Sequence, residues 1–150
     1  MKLSQICLAT ACLAASGTAQ AEIFTSYAPS KTVTNVTMVK VNPNRVDDYL
    51  DGLKQTWQPS CDIQKKMGDV VDCGIYINEA ASAGPFNMIL TVTFKDAAAM
   101  EPNETKYKAL NTELRKYLEE SKQKSIVGSY EEFRTFWGEG NFRRVEWKSK

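Results

Sequence analysis

A chain of 150 residues with 19 basic and 18 acidic side chains is close to neutral, so its charge selects neither nucleic acid nor an anionic membrane as partner. It has no histidine, which removes Ser–His and Cys–His nucleophilic pairs and histidine-based metal sets from consideration. The length suits one domain, with no internal repeat, low-complexity tract or flexible linker.

Residues 1–21 read MKLSQICLATACLAASGTAQA. Lys2 gives a positive start, Ile6 to Ala15 a short apolar run, and Ala19-Gln20-Ala21 a small-x-small cleavage site, the pattern of a secretory signal peptide. The run is shorter than the ~20 apolar residues that span a bilayer. Lipidation at Cys12 is the weaker alternative, because leucine is missing from its usual place and the apolar run continues past that cysteine. Cleavage after Ala21 predicts an exported chain, periplasmic or extracellular, without membrane insertion. Losing Lys2 leaves 18 basic against 18 acidic residues.

Export also decides the cysteines. Cys7 and Cys12 leave with the signal, so Cys61 and Cys73 remain. In an oxidising compartment two remaining cysteines form a disulfide. Two thiolates without histidine do not close a tetrahedral zinc site, and the spacing is not the C-x-x-C of a redox pair. A staple closing so short a loop contributes roughly 3 kcal/mol.

Residues 22–31 read as a loosely held, flexible arm, since Pro29 and its polar neighbours resist regular structure. Val33 to Val41 is a strand rich in β-branched residues, with Val36 and Met38 on one face and Val39 and Val41 on the other. Asn42-Pro43 opens a helix, an N-cap followed by proline at the first helical position. Val46, Tyr49, Leu50, Leu53 and Trp57 form its apolar face. Pro59 is expected to end or kink it, with a second helical piece from Ser60 to Met67 stopped by Gly68.

Val70 to Asn78 predicts a second strand, with Cys73, Ile75 and Ile77 on one face and Asp72, Gly74 and Tyr76 on the other. A turn from Ala80 to Pro85 leads to a third strand, Phe86 to Phe94, completing a hairpin. Lys95 to Met100 predicts a short helix broken at Pro102. Asn103 caps a longer one that runs toward Gly128, with Tyr107, Leu110, Leu114 and Tyr117/Leu118 as its apolar stripe. Phe133 to Trp147 reads as strand interrupted at Gly138–Gly140.

The order β-α-β-β-α-β predicts an α+β, ferredoxin-like domain over residues 32–150, with an antiparallel sheet and helices on one face. The uncovered face of the first strand then needs a cover, and a second copy of the chain is the economical one.

Val39-Lys-Val-Asn-Pro-Asn-Arg45, Trp57-x-Pro59, the hairpin after Gly68 and Thr91-Val-Thr-Phe-Lys-Asp96 carry a resemblance. Over about residues 32–148 the chain resembles the dimeric α/β-barrel superfamily, antibiotic-biosynthesis-monooxygenase-like, as an exported, uncharacterised branch. The resemblance implies two ferredoxin-like subunits packed sheet to sheet as a homodimer. It also implies a small-molecule pocket between sheet and helices. Haem-handling relatives commonly use a histidine ligand, which this chain lacks, and no tyrosine or methionine is singled out in its place.

No catalytic residue, cofactor or metal site is readable. Asp47 and Asp48 are neighbours on a helix and do not face each other. Gly138-Glu-Gly140 lacks the strand-loop-helix context of a phosphate loop. Tyr49, Trp57, Tyr76 and Trp137 are candidate pocket walls, and Arg134 and Arg143 candidate partners for a carboxylate or enol. Core packing is the competing role for Tyr49 and Trp57, and dimer-face or solvent roles for the arginines. Three functions follow as expectations: a binding protein for a small apolar or aromatic ligand, a cofactor-independent monooxygenase acting on an activated aromatic such as a quinol, and a non-catalytic structural or stress-related dimer.

Overall fold

A computed structural model describes residues 22–78 and 84–149. The signal-peptide reading and most of the predicted turn from Ala80 lie outside the described residues.

The β-branched run after the arm forms β2 (Val33–Val41), following a short β1 (Tyr27–Pro29). Along β2 the odd positions turn toward the helices, and Val33, Val39 and Val41 are buried there. Asn42 opens the next element as expected, its side chain accepting from the Asn44 N–H. That element is one turn of 3-10 helix, Pro43–Arg45, and it leads into α1 (Val46–Lys66).

The predicted break at Pro59 does not occur: Pro59 lies inside α1. A proline there removes one helical hydrogen bond and crowds the preceding turn. The segment beyond it is held by tertiary contacts instead, with Cys61 and Ile63 buried and Cys61 joined to Cys73. The stop at Gly68 is as expected. Gly68 has φ +76°, its N–H donates to the Lys65 carbonyl, and Asp69 N–H donates to the Gln64 carbonyl. This is a Schellman close, which favours glycine because the left-handed conformation costs it nothing.

β3 (Val70–Ile77) and β4 (Met88–Phe94) pair antiparallel. After β4 a 3-10 turn, Ala98–Met100, precedes α2 (Glu104–Tyr117). Asn103 caps α2, accepting from the Lys106 N–H at 2.9 Å. The expected single long helix divides in two. Leu118 adopts an extended backbone, φ −149° and ψ 129°, and α3 (Glu120–Ser129) starts afresh. Only Leu114 of the predicted stripe is buried; Tyr107 and Tyr117 are exposed. The redirected α3 packs against α1 and brings Ile126 onto the core.

β5 (Arg134–Phe142) runs through Gly138 and Gly140 without the expected interruption. The irregularity lies one residue earlier. Val39 pairs with Phe136 and Met38 with Gly138, so Trp137 is the extra residue of a bulge. β6 (Val145–Trp147) pairs with β1, and Tyr27 meets Trp147 edge-on at 6.0 Å. Part of the arm expected to be loose is therefore strand. Arg143 holds it further, donating to the Ser30 and Lys31 carbonyls.

The main sheet is antiparallel in the order β3-β4-β2-β5. With α1 linking β2 to β3 and α2–α3 linking β4 to β5, this is the ferredoxin-like fold. Its core lies between sheet and helices: Val39, Val41, Met88 and Leu90 from the strands, Tyr49 and Leu53 from α1, Tyr130 and Phe133 after α3. Buried Asn87 fastens the sheet at one corner. Its side chain accepts from Val41 N–H at 2.7 Å and donates to Val41 C=O at 2.8 Å, continuing the ladder ahead of β4.

Candidate ligand pocket

Between α1, α3 and the sheet lies a pocket of about 340 Å³, within the size range of small-molecule sites. α1 contributes Tyr49, Leu53, Thr56, Trp57 and Ser60, which recur at helical spacing and so share one face. The floor is Asn35 and Thr37 of β2 with Leu90 and Val92 of β4. Gln123, Val127 and Tyr130 close the α3 side, and Arg134 and Phe136 of β5 complete the wall.

Fixed aromatic packing shapes the wall beside Arg134. Tyr49 is fully buried, with its ring edge-on to Tyr130 at 4.9 Å and to Phe133 at 6.2 Å. Tyr130 reaches α1 through Thr56, 3.0 Å between hydroxyls. Thr56 already donates to the Gly52 carbonyl, so Tyr130 is the donor of that pair. Burial raises the Tyr130 pKa above the ordinary tyrosine value, with the Thr56 hydrogen bond opposing it.

Arg134 enters this aromatic group. Its guanidinium carbon lies 4.5 Å from the Phe136 ring centroid, 4.7 Å from that of Tyr130 and 5.5 Å from that of Tyr49. Its Nη1 donates to the Tyr49 hydroxyl oxygen at 2.9 Å. Across the floor, Asn35 donates to Glu139 at 2.8 Å and to Asn141 at 3.1 Å. The pocket thus combines an apolar body with a donor-rich wall.

Of the six candidate ligand residues, Tyr49, Trp57 and Arg134 line this pocket. The other three do not. Tyr76 stands on the opposite face of β3, its ring over Gly74. Trp137 is exposed at the bulge. Arg143 is engaged with the arm. The residues not anticipated include Asn35 and Thr37, which had a readable signal. They share the odd phase of Val33, Val39 and Val41, and polar groups on the buried side of a strand mark a site. Val127 and Tyr130 reach the pocket only because α3 turns at Leu118, which nothing local announces.

A wider groove, about 770 Å³, runs between α2 and α3. Its charged groups satisfy one another, Arg115 and Lys124 with Glu120 and Lys108 with Glu104, and these side chains are largely exposed. It is solvated surface rather than a built site. Among the described residues no cluster of metal-ligating side chains occurs.

No family model matches the sequence, and no curated protein matches it. Solved structures that resemble it include a protein from Shewanella oneidensis at 11% identity, covering 80% of this chain and 98% of that one with a TM-score of 0.48. Another is SnoaB, a cofactor-independent oxygenase from Streptomyces nogalater, at 9% identity, 75% and 92% coverage and a TM-score of 0.43. A third is a dimeric ferredoxin-like protein of unknown function from Thermobifida fusca, at 10% identity, 75% and 91% coverage and a TM-score of 0.42. The ferredoxin-like assignment stands on this chain's own strand order and connections, and identities this low do not bear on activity.

Proposed function

We propose that this is an exported homodimer that holds a small apolar or aromatic ligand between its sheet and helices. The observation that carries the reading is the pocket itself: Leu53, Trp57, Leu90 and Val92 provide an apolar body, and a few polar groups stand at its wall. Binding sites for small organic molecules have this composition. Export is supported by the signal pattern and by the Cys61–Cys73 disulfide, a bond that persists in oxidising compartments.

The homodimer is supported by the sheet face turned away from the helices. Val36, Met38 and Ile89 lie at its centre, and Tyr76 and Phe142 flank them from the edge strands, both aromatic residues substantially exposed. Among the described residues no helix packs on that face, and a second copy supplies a like surface. Oxygenase activity on a quinol has no specific observation in its favour; oxygen uptake with a quinol panel would reveal it.

A native mass spectrum of protein purified from its exporting host tests the reading. The expected species is a dimer of the chain from Glu22 carrying an added small mass that is lost on denaturation. A dimer without adduct, together with no uptake of small aromatic probes, would sink the binding function. A monomer would sink the shared interface.

A further inference from the structure

We infer that Arg134, positioned by Tyr49, forms an anion subsite, so that the ligand of this pocket is an apolar or aromatic body bearing a planar anion, a carboxylate or an enolate. The inference rests on the pocket reading above and names the chemical class it would take.

Hydrogen-bond bookkeeping carries the argument. Arg134 has five N–H donors, and one goes to the Tyr49 oxygen. None of the described carboxylates lies within ion-pair distance of Arg134. Its charge instead faces three aromatic rings, which orient the guanidinium plane without neutralising it.

Tyr49 fixes the guanidinium from behind. Its oxygen accepts from Arg134, and because the residue is fully buried it holds the arginine without meeting the ligand itself. A half-buried guanidinium, held from behind by a fully buried phenol, thus stands at the cavity wall with no described carboxylate as its partner. Glu139, a carboxylate near the floor, is held by Asn35. A neutral ligand would leave the cation uncompensated. An anion with two coplanar oxygens takes two of the remaining guanidinium N–H donors side by side, in the geometry that favours arginine over lysine.

The test is calorimetric titration of the purified protein with 2-naphthoate and, separately, with 2-naphthalenemethanol, its neutral counterpart. The expected result is a preference of about tenfold or more for the carboxylate, the size of a charge-assisted hydrogen bond. Arg134→Met keeps bulk without charge and should abolish that preference while leaving the alcohol within about threefold, since the apolar contacts stay. Arg134→Lys should recover part of the preference. Tyr49→Phe keeps the ring, removes the oxygen that positions the guanidinium, and should weaken the carboxylate alone by several-fold; it also keeps the test open if Arg134→Met does not fold.

Equal affinity of the wild type for both probes would overturn the anion subsite and leave the pocket reading standing. So would a parallel loss of both probes in folded Arg134→Met, which would make the arginine a packing residue. If neither probe binds, the pocket reading fails and the subsite with it.

Discussion

Gly52 on α1 and Tyr130 after α3 occupy each other's space: a Cβ built on Gly52 would lie 2.6 Å from the Tyr130 ring and hydroxyl. The absence of a side chain at Gly52 is what lets the phenol reach Thr56 and close one side of the pocket. Alanine is the better helix former by about 1 kcal/mol, yet Gly52→Ala should destabilise the protein, because overpacking a core costs about 1–3 kcal/mol. Urea unfolding checks the sign. The penalty should disappear in a Tyr130→Ala background, which separates the steric cause from any effect on the helix. A Gly52→Ala protein more stable than the wild type would contradict the contact.

Asn87 acts as a piece of backbone in side-chain form. Both its amide bonds go to Val41, and all three groups are buried or within the sheet. Asn87→Ala leaves the Val41 N–H and C=O without those partners, so a loss of about 2–4 kcal/mol is expected. Asn87→Asp should be as bad or worse, since a carboxylate cannot donate to the carbonyl and faces it with like polarity. Hydrogen exchange at Val41 should accelerate in both variants by more than the global loss requires if the clamp is local.

Much of this fold is written in local pattern, and the exceptions are informative. The caps at Asn42 and Asn103 and the glycine stop at Gly68 depend on one or two residues' own geometry, so they are readable. Pro59 misleads because its helical cost is offset by burial of Cys61 and Ile63, contacts made with a distant strand. Tyr117-Leu118-Glu119 contains good helix formers, and the break there is set by α3 docking on α1. β1 is strand only because β6 lies beside it.

The pocket divides along the same line. Helical spacing places Tyr49 and Trp57 on one face of α1, and both reach the cavity. Alternation along β3 separates Tyr76 from Cys73 and Ile75 and so directs it to the other face. Trp137 has no such guide, because a bulge shifts the phase within β5.

Asp69 joins three elements, accepting from Lys106 on α2 at 2.6 Å and facing Lys95 after β4 at 3.4 Å, while it follows the close of α1. The Lys106 hydrogen bond is the main cause of a pKa held below the ordinary aspartate value; partial desolvation opposes it, and Lys95 adds to it. A depressed folded-state pKa stabilises the protein above the unfolded value, about 3.9, and the contribution fades as pH falls through the folded one. Asp69→Asn should therefore be less stable than the wild type at neutral pH, with the gap narrowing below about pH 4. Guanidinium-independent thermal melts across that range check it; a constant gap would mean that shape and not charge is at work.

Cys61 and Cys73 tie the proline-containing half of α1 to the edge strand β3. Denatured, unreduced mature protein, the chain from Glu22 with only these two cysteines, should give no free thiols, and two per chain would refute the bond. The Cys61→Ser, Cys73→Ser double variant should lose about 2–4 kcal/mol. The loss should concentrate beyond Pro59, where fewer helical hydrogen bonds remain to compensate, so amides from residue 60 to 66 should exchange faster than those from 46 to 56.

The open sheet face gives the last prediction. Val36 lies near its centre, paired with Thr91 on one side and Gly140 on the other, and is half-buried within the single subunit. Val36→Glu places a charge where two copies would meet and little in the way of the subunit's own core, which lies on the odd-numbered side of β2. If that face joins two copies, the desolvation of two facing carboxylates opposes association, and the variant should sediment as a folded monomer while the wild type sediments as a dimer. Circular dichroism confirms that the subunit fold is intact. The same variant as a control in probe titration would show whether the pocket binds its ligand in the isolated subunit: unchanged affinity means that sheet, α1 and α3 suffice. A Val36→Glu protein that remains dimeric would place the interface elsewhere.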